Sequence, residues 1–482
     1  MSSQSVTPRS VDYSRWYTDV IQKAELADYA PVRGCMIIRP YGYELWEGVR
    51  SGLDRRFKAT GHQNAYFPLF IPMSFLQKEA EHVEGFAPEL AVVTHGGGKE
   101  LEEPLVVRPT SETVIGHAYA NWIQSYRDLP VLINQWANVV RWELRTRLFL
   151  RTMEFLWQEG HTAHATYEEA HEETLRMLDV YADFAINDAA IPVIRGRKSD
   201  QERFAGAVYS YSIEAMMGDR RALQAGTSHN LGQNFAKAFD IKYLDRDNEL
   251  KYCWTTSWGL STRMVGAVVM AHGDDKGLRL PPVLAPYQVV AVPIYRDDAE
   301  RSAVMPTVEK VVAELRDAGV RVHVDDRAEL TPGFKFNDWE MRGVPLRAEI
   351  GPKDVEKGTV ALVRRDIDDR KQAKLFAPQA GIAQTVPALL GEIQASLLGQ
   401  ATAFRDAHLR VVDTYDDFKA VIEAGDWALA YYDGSAAVED QIKADTGGAS
   451  SRCFPLDQEP GEGACIVTGK KVAERAWFAR AY

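Results

Sequence analysis

The stretch VVRWELRTRLFLRTMEFLWQEGHTAH, residues 139–164, decides the fold. Residues 139–145 and residues 152–159 both alternate between apolar and polar side chains, which is the period of a strand with one buried face. The alternation therefore predicts an antiparallel hairpin. Its polar side and its connecting segment carry four arginines: Arg141, Arg145, Arg147 and Arg151. Arginines repeated along one side of a strand pair indicate an anionic ligand, because guanidinium groups bind carboxylates and phosphates through paired hydrogen bonds.

The length and composition of the chain are those of a multidomain soluble protein. At 482 residues it is too long for one hydrophobic core, so we expect two to four domains. The apolar stretches are too short to span a bilayer and the first sixteen residues lack the apolar core of a signal peptide, so we expect neither membrane insertion nor export. Four scattered cysteines indicate a reducing, cytoplasmic compartment. The net charge of −12 does not indicate that the whole chain binds nucleic acid, but a local basic surface would be enough to contact phosphates.

The pattern of helices and strands divides the chain into three predicted domains. Residues 1–284 mix amphipathic helices, among them 12–30 and 165–189, with alternating strands such as NAYFPLFIP. A proline-rich linker then precedes residues 285–398, where strands alternate with helices as in an α/β domain with a mostly parallel sheet. Residues 399–482 combine helices, short strands and glycine-rich loops.

Several common site types are missing from this sequence. It contains no GxxxxGK[ST] loop, and HGGGKE (95–100) joins two predicted strands as a hairpin tip, so ATP would not be held by a nest of backbone amides. His161 and His164 are spaced like a metal pair, but they lie at a strand end without an evident third ligand, so we interpret them as hydrogen-bonding histidines and predict no metal ligands.

Four segments together form a specific pattern: RPTSE (108–112), RWE to FLWQE (141–159), LQAGTSHNLGQNF (223–235) and GLSTR (259–263). With them the chain resembles the class II aminoacyl-tRNA synthetases and, among these, the prolyl-tRNA synthetases of the archaeal and eukaryote-like type. The resemblance runs from about residue 12 to residue 482. It implies an α+β fold, with an antiparallel-sheet catalytic domain, an α/β anticodon-binding domain and a small α+β C-terminal domain. It also implies a proline–tRNA ligase that activates L-proline with ATP and transfers it to the 3′ end of tRNA(Pro).

The resemblance assigns roles to individual residues. Arg141 would meet the α-phosphate and the amino-acid carboxylate, and Arg263 the γ-phosphate, and these two are the predicted catalytic residues. The implied ATP-binding residues are Arg141, Glu143, Arg151, Thr152, Gln224, Thr227, Ser261 and Arg263. The implied proline-binding residues are Thr110, Glu112, Arg141, Trp157, Glu159, His161, Phe204 and His229. The implied anticodon-binding residues are Phe336, Glu340 and Arg347, and Lys353 and Lys371 are weaker candidates.

The resemblance also implies partners and cofactors. Magnesium is expected with ATP, without assigned ligands. The helix before NAYFPLFIP, together with Pro68, resembles the dimer-forming motif 1 and implies a homodimer. RKSDQERFAGA (197–207) resembles the family's flexible loop over proline. Relatives often hold zinc with two cysteine pairs in the C-terminal domain, and of those four positions only Cys465 carries cysteine here, so we expect no zinc.

Alternative interpretations remain for some residues and for the function. Trp157 can be plain core packing, and Glu340 alone reads as a solvated helix charge. A sibling class II specificity such as threonine is the second hypothesis, although the zinc ligands of a threonine site are not evident. A synthetase-like regulatory protein without activity is the third, and intact Arg141, Glu143 and Arg263 argue against it.

Overall fold

In the computed structural model of the chain, residues 5–82, 90–143 and 145–482 are described. The helices of the N-terminal unit are α1 (Tyr13–Lys23), α2 (Pro40–Ala59), α3 (Met73–His82), α4 (Glu112–Trp122), α5 (Tyr167–Asn187), α6 (Asn234–Phe239) and α7 (Arg263–His272). Its strands are β1 (Ala27–Tyr29), β2 (Met36–Ile38), β3 (Gln63–Asn64), β4 (Phe70–Pro72), β5 (Ala91–Gly96), β6 (Lys99–Val107), β7 (Val131–Val140), β8 (Glu154–His164), β9 (Val193–Arg197), β10 (Tyr209–Met216), β11 (Ala222–Gly232), β12 (Lys242–Leu244), β13 (Leu250–Tyr252) and β14 (Trp254–Ser261).

The main sheet of this unit has the strand order β9-β10-β11-β14-β8-β7-β3. All neighbours are antiparallel except β3 and β7, which confirms the antiparallel platform. One face is covered by α2, α5 and α7, where Phe57 packs against Trp258 with ring centroids 5.0 Å apart. A Cβ at Gly160 would lie 2.1 Å from Trp258, so β8 needs glycine there. The other face of the sheet carries the site described below.

The predicted hairpin exists, but its first strand is misplaced. β7 ends at Val140, and residues 141–143 have no strand assignment, so the prediction of a strand over 139–145 is wrong. The four arginines therefore belong to the connection between β7 and β8 and do not line the strand pair. Trp142 is 48% exposed, because no layer of the described chain covers the side on which the alternation placed it. Leu144, on the same predicted side, lies outside the described residues.

Two other boundaries differ from the sequence prediction, and one hairpin agrees. The helix predicted over 12–30 ends at Lys23, and the chain then forms β1. The strand predicted over 64–72 is split into β3 and β4, with Pro68 in the gap, where a missing backbone donor breaks the ladder. β5 and β6 pair around HGGGKE as expected.

The second unit contains β15 (Val289–Pro293), α8 (Asp298–Asp317), β16 (Val322–Val324), α9 (Pro332–Met341), β17 (Leu346–Ile350), α10 (Pro352–Lys357), β18 (Thr359–Arg364), α11 (Arg370–Ala373), β19 (Lys374–Pro378) and α12 (Ile382–Asp406). Its sheet has the order β16-β15-β17-β18-β19. The prediction of a mostly parallel sheet is wrong, because β15 pairs parallel with β16 and β17 while the pairings of β18 are antiparallel. The proposed boundary at residue 398 falls inside α12 and stays a prediction.

The third unit contains β20 (Leu409–Val411), α13 (Tyr415–Glu423), β21 (Trp427–Tyr431), α14 (Ala436–Asp445), β22 (Ala449–Pro455), β23 (Gly463–Ala464), β24 (Lys471–Val472) and β25 (Arg475–Arg480). Its strands β20-β21-β25-β22 continue the main sheet, because β22 pairs with β9 through Phe454–Arg197 and Pro455–Gly196. The C-terminal unit is therefore bonded edge to edge to the platform, and not tethered by a linker alone.

A buried ion cluster joins the first two units. The Asp274 carboxylate accepts hydrogen bonds from Arg365 at 2.8 and 2.6 Å and from Arg279 at 2.9 Å. Burial opposes ionisation, but the hydrogen bonds and charges of these arginines lower the pKa of Asp274 to about 2. None of the described helices is both long and apolar enough to cross a bilayer.

Candidate active site

Antiparallel register lines up the polar residues of four motifs on the open face of the sheet. Glu159 on β8 lies opposite Gly259 on β14, which lies opposite Thr227 on β11. In the next row His161 lies opposite Ser257, and Ser257 opposite His229. Because alternate residues of a strand face the same side, both rows share one face. They form the floor of a cavity of about 340 Å³.

One end of the floor is a buried network around Glu159. Its carboxylate accepts hydrogen bonds from the backbone N–H of Ser111 at 3.1 Å, from Ser111 Oγ at 2.5 Å and from Gln135 Nε2 at 2.9 Å. His161 Nε2 lies 3.1 Å from the same carboxylate. The network fixes the loop before α4, and so aims Thr110 and Glu112 at the cavity.

Ionisable side chains crowd this end of the floor. Burial disfavours charge on both Glu159 and His161. The hydrogen bond between them nevertheless lowers the pKa of Glu159, and the hydrogen bond and the charges of Glu159 and Glu112 raise the pKa of His161. His161 thus stands beside the carboxyl groups of Glu159 and Glu112. Thr110 Oγ1 donates to Glu112 Oε2. Single ligand atoms of Glu112, Glu159 and His161 all lie within 4.8 Å of one another, which suits a small organic cation as well as a metal ion.

The side walls near this end are aromatic. Trp157 is half-buried and lines the cavity, so it is not plain core. Phe204 stacks at a tilt on His229, with ring centroids 4.7 Å apart. Burial, helped by the charges of Lys198 and His161, lowers the pKa of His229 to about 3, so its imidazole is neutral at pH 7. The resulting subsite is apolar on its flanks and acidic at its end.

Arg141 closes the subsite from above. Its Nε donates to Pro109 O at 3.0 Å, and its guanidinium lies over the rings of Phe155 and Trp157, 5.6 and 5.2 Å from their centroids. No group in the described part of the chain accepts a hydrogen bond from its two terminal amines. The guanidinium is therefore held in place with its fork directed to a ligand.

The remaining predicted ATP-binding residues flank the cavity. Arg263, at the start of α7, donates to Leu150 O at 3.1 Å and to Gln224 O at 3.3 Å. Burial, together with the charges of Arg151 and Arg141, lowers the pKa of Arg263 to about 10. Arg263 is therefore still charged at pH 7, although other arginines lie near it. Arg151 Nε pairs with Glu143 Oε2 at 3.3 Å.

The structure thus brings together all eight predicted proline-binding residues and, of the ATP set, Arg141, Gln224 and Thr227. The others of that set, Glu143, Arg151, Thr152, Ser261 and Arg263, do not line the same cavity. Thr152 is buried and donates to Glu154 O at 2.7 Å, an internal contact of the hairpin. Further lining residues were not predicted as site residues: Ser210, Ser257, Trp258 and Gly259. Lys198 and Glu202, which also line the cavity, belong to the segment 197–207 that was predicted to lie over proline. Ser257 and Gly259 alternate with Ser261 on β14, a signal that could have found them.

A second cavity, of about 470 Å³, lies in the α/β unit. It contains all three predicted anticodon-binding residues, Phe336, Glu340 and Arg347, and the Arg347 guanidinium lies 4.3 Å from the Phe336 ring centroid. Further cations line it: Lys276, Arg364, Arg365, Arg370 and Lys374. Lys353 and Lys371 are exposed and lie outside its walls.

The C-terminal unit was predicted to lack three of the four cysteines with which relatives bind zinc. All four cysteines are free, and Cys465 is buried. Thr468 Oγ1 donates to Asp433 Oδ2 at 3.2 Å, and Ser435 donates to Asp433 Oδ1 through its backbone and side chain at 3.0 and 2.7 Å. Hydrogen bonds between these loops therefore occupy the Asp433 carboxylate.

Comparison with known proteins identifies all three units. Residues 93–272 match the model of the tRNA synthetase class II core domain (G, H, P, S and T), residues 288–377 the anticodon binding domain, and residues 415–482 the C-terminal domain of prolyl-tRNA synthetase.

Whole-chain relatives agree with these domain matches. A proline–tRNA ligase of Roseiflexus castenholzii is 60% identical over the full length of both chains, and a chloroplastic/mitochondrial proline–tRNA ligase of Arabidopsis thaliana is 56% identical over 100% of this chain and 89% of that one. A crystal structure of prolyl-tRNA synthetase from Cryptosporidium parvum, complexed with halofuginone and AMPPNP, superposes with a TM-score of 0.93 at 40% identity, covering 100% of this chain and 98% of the other.

Proposed function

The chain belongs to the proline–tRNA ligase family, and we propose that the cavity on the open face of its sheet is where it activates proline. It is an ATP-dependent ligase of class II that joins proline to tRNA. The observation that carries the site assignment is the convergence of Glu112, Glu159, His161 and Arg141 on one small cavity with aromatic flanks.

The acidic end fits the secondary ammonium of proline. The carboxyl groups of Glu112 and Glu159 converge there beside His161 and offer acceptors to a bound ammonium. Glu112, oriented by Thr110, is the acceptor that faces the ligand. The three ring methylenes of proline lie against Trp157, Phe204 and the neutral His229. A hydrophobic pocket separates substrates that differ by a methylene by only about 1–3 kcal/mol, so rejection of alanine rests on limited contacts.

Arg141 joins the two substrates. One terminal amine of its fork binds the proline carboxylate and the other an oxygen of the α-phosphate. The carboxylate oxygen attacks the α-phosphorus, a new O–P bond forms, and the bond to the β-phosphate breaks to release pyrophosphate. No general base is needed, because the carboxylate is already ionised at neutral pH. The rate comes from alignment and from charge neutralisation at the phosphorus.

The cations around Arg263 receive the outer phosphates. Its lowered pKa records the repulsion from Arg141 and Arg151, on top of burial, and a polyphosphate relieves that repulsion. Magnesium prefers oxygen ligands, and when it is bound to a nucleotide the protein usually supplies only one or two of them. The side-chain oxygens of Glu143, Gln224 and Ser261 fit that requirement, and the ion would neutralise charge on the phosphates. Glu143 and Arg151 close the adenine side.

The second cavity is proposed to bind the anticodon of tRNA(Pro). Phe336 offers a ring for stacking, Arg347 offers donors to a guanine edge and Glu340 accepts from a base amine. The surrounding lysines and arginines supply the positive charge that phosphates need, in a chain with a net charge of −12.

Three further expectations remain proposals. Motif 1, formed by α2 and the segment through Pro68, would mediate a homodimer. Zinc would be absent, because Cys465 is the one cysteine of the family's set and Asp433 is already hydrogen-bonded. The free cysteines fit the cytoplasm.

Amino-acid-dependent exchange of pyrophosphate into ATP tests the proposed function. Proline alone should support exchange by the purified chain. Exchange with threonine instead would show a sibling specificity, and no exchange with any amino acid would show that the site does not activate one.

A further inference from the structure

A buried lysine beside the active-site cavity lies within ion-pair distance of two carboxylates, but its ammonium makes no hydrogen bond to the described residues. Lys198, directly after β9, is 4% exposed and lines the cavity, yet its Nζ has no hydrogen-bond partner in the described part of the chain. The nearest carboxylate oxygens, Glu214 Oε1 at 3.6 Å and Glu202 Oε2 at 3.8 Å, are beyond hydrogen-bonding distance. Buried ammonium groups normally have their donors satisfied, so this one is prepared for a group that the protein does not supply.

Glu214 holds the lysine in position electrostatically. Its carboxylate is buried and accepts hydrogen bonds from Ser212 Oγ at 2.8 Å and from Arg452 Nε and Nη2 at 3.1 and 3.0 Å. Burial opposes its ionisation, but the charges of Arg452 and Lys198 lower the pKa of Glu214, so it is an anion at pH 7. Its Oε2 accepts from Arg452 and its Oε1 from Ser212, and Lys198 Nζ lies 3.6 Å from Oε1, so Glu214 attracts the ammonium without a hydrogen bond to it.

The C-terminal unit supplies this support. Arg452 lies on β22, the strand that pairs with β9 next to Lys198. The following residue, Ser199, donates to Glu439 Oε2 on α14 at 2.9 Å, and Ser451 donates to Glu439 Oε1 at 2.8 Å. The third unit therefore hydrogen-bonds both to the backbone segment that carries Lys198 and to Glu214, the carboxylate next to Lys198.

The neighbours of Lys198 indicate what it binds. Its charge acts on His229, on the β10–β11 side of the floor, whereas the charges of Arg141 and Arg151 act on Arg263. Arg141 is assigned to the proline carboxylate and to one oxygen of the α-phosphate, and the other non-bridging oxygen of that phosphate has no assigned partner. An ammonium on a flexible stem with three free donors suits a single phosphate oxygen.

We propose that Lys198 binds a phosphate oxygen of the reactants, and that Glu214 and Arg452 are positioning residues acting through it. The phosphate belongs either to the prolyl-adenylate or to the 3′-terminal nucleotide of tRNA. The proposal rests on the proposed function of this cavity and extends it by giving the C-terminal unit a part in the reaction.

Variants of the two basic residues test the proposal in the full-length chain. Lys198→Gln and Arg452→Gln remove charge, and Lys198→Arg and Arg452→Lys keep it. Matched controls are Lys251→Gln, an exposed lysine on β13, and Arg410→Gln, an ion-paired arginine on β20 of the same unit. Two rates are measured: proline-dependent pyrophosphate exchange, which needs no tRNA, and single-turnover transfer of proline from the preformed adenylate to tRNA.

Loss of one charge-assisted contact should slow one of these steps about tenfold to a hundredfold in Lys198→Gln. Slower exchange assigns the phosphate to the adenylate, and slower transfer with normal exchange assigns it to the tRNA. Lys198→Arg should recover most of the lost rate, and Arg452→Gln should lower the same step by a smaller factor. The controls should stay within about twofold of the unmodified chain, whose own exchange activity reports separately on the proposed function.

Two results would overturn the proposal. One is both steps within about threefold of the controls in Lys198→Gln. The other is an equal loss in both steps, a lower melting temperature and no recovery in Lys198→Arg, which would make the lysine structural. If Lys198→Gln does not fold, a structure of the unmodified enzyme with tRNA and a non-hydrolysable prolyl-adenylate analogue decides. Lys198 Nζ within about 3.2 Å of a phosphate oxygen supports the proposal, and a separation beyond about 5 Å overturns it.

Discussion

Replacing Arg141 with glutamine should remove most of the adenylate-forming activity and leave the fold intact. The guanidinium makes one hydrogen bond to the protein, from Nε to Pro109 O at 3.0 Å, and rests on Phe155 and Trp157. Its two terminal amines are open to the cavity. The stability of the chain therefore depends little on this group, whereas both substrates depend on it.

The expected magnitude follows from those two open amines. Each hydrogen bond from a charged donor contributes about 1.5–3 kcal/mol, and a glutamine amide restores at most one neutral bond of about 1 kcal/mol. The net loss is about 2–5 kcal/mol, or roughly thirtyfold to several thousandfold in kcat/KM. Arg141→Lys keeps the charge without the planar fork and should lie between the two.

Proline-dependent pyrophosphate exchange measures this loss, with thermal unfolding as the check on the fold. Arg145→Gln is the matched control, because Arg145 is an exposed arginine of the same connection that does not line the cavity. It should retain exchange within about threefold. Arg141→Gln with exchange close to that of Arg145→Gln would refute the assignment of Arg141 to both substrates.

Three other outcomes are expected. The carboxylate of Asp274, whose pKa is depressed to about 2, should contribute about 2 kcal/mol of stability that is present above pH 4 and lost as the pH falls towards 2. The free energy of unfolding of Asp274→Asn, which is already lower at pH 7, should therefore fall less between pH 4 and pH 2 than that of the unmodified chain. Identical pH profiles would contradict this interpretation. Arg347→Met should raise the KM for tRNA(Pro) about tenfold or more, through the loss of about 1–3 kcal/mol at a base edge, and leave pyrophosphate exchange unchanged, whereas slower exchange would place Arg347 outside anticodon binding. Elemental analysis of purified protein should find well under one zinc per chain, and a chelator should leave the melting temperature unchanged; one bound zinc per chain would contradict the expected absence.

More of the candidate site than of the surrounding fold could be predicted from the sequence. Glu159 and His161 alternate within one motif, and Thr227 and His229 within another, so the sequence indicates which side chains share a face. Which strands lie side by side is decided by backbone pairing, and this register is what places Gly259 and Ser257 between them.

Two features lay beyond sequence reasoning for physical reasons. Lys198 stands at the start of a loop with no period to read. Its nearest carboxylate, Glu214, is held by Arg452, which lies 254 residues after Lys198 in the chain. The pairing of β22 with β9 uses backbone hydrogen bonds, which leave no trace in side-chain patterns. The alternation of apolar and polar residues continues beyond Val140, but the strand does not, and Trp142 on the apolar side is 48% exposed.

The most direct test of the whole account is a crystal structure with proline and a non-hydrolysable ATP analogue bound. The account predicts the proline nitrogen within about 3.2 Å of Thr110 or Glu112, and the terminal amines of Arg141 bridging the proline carboxylate and the α-phosphate. Proline bound with its nitrogen directed away from Glu112, or Arg141 directed away from both substrates, would contradict it.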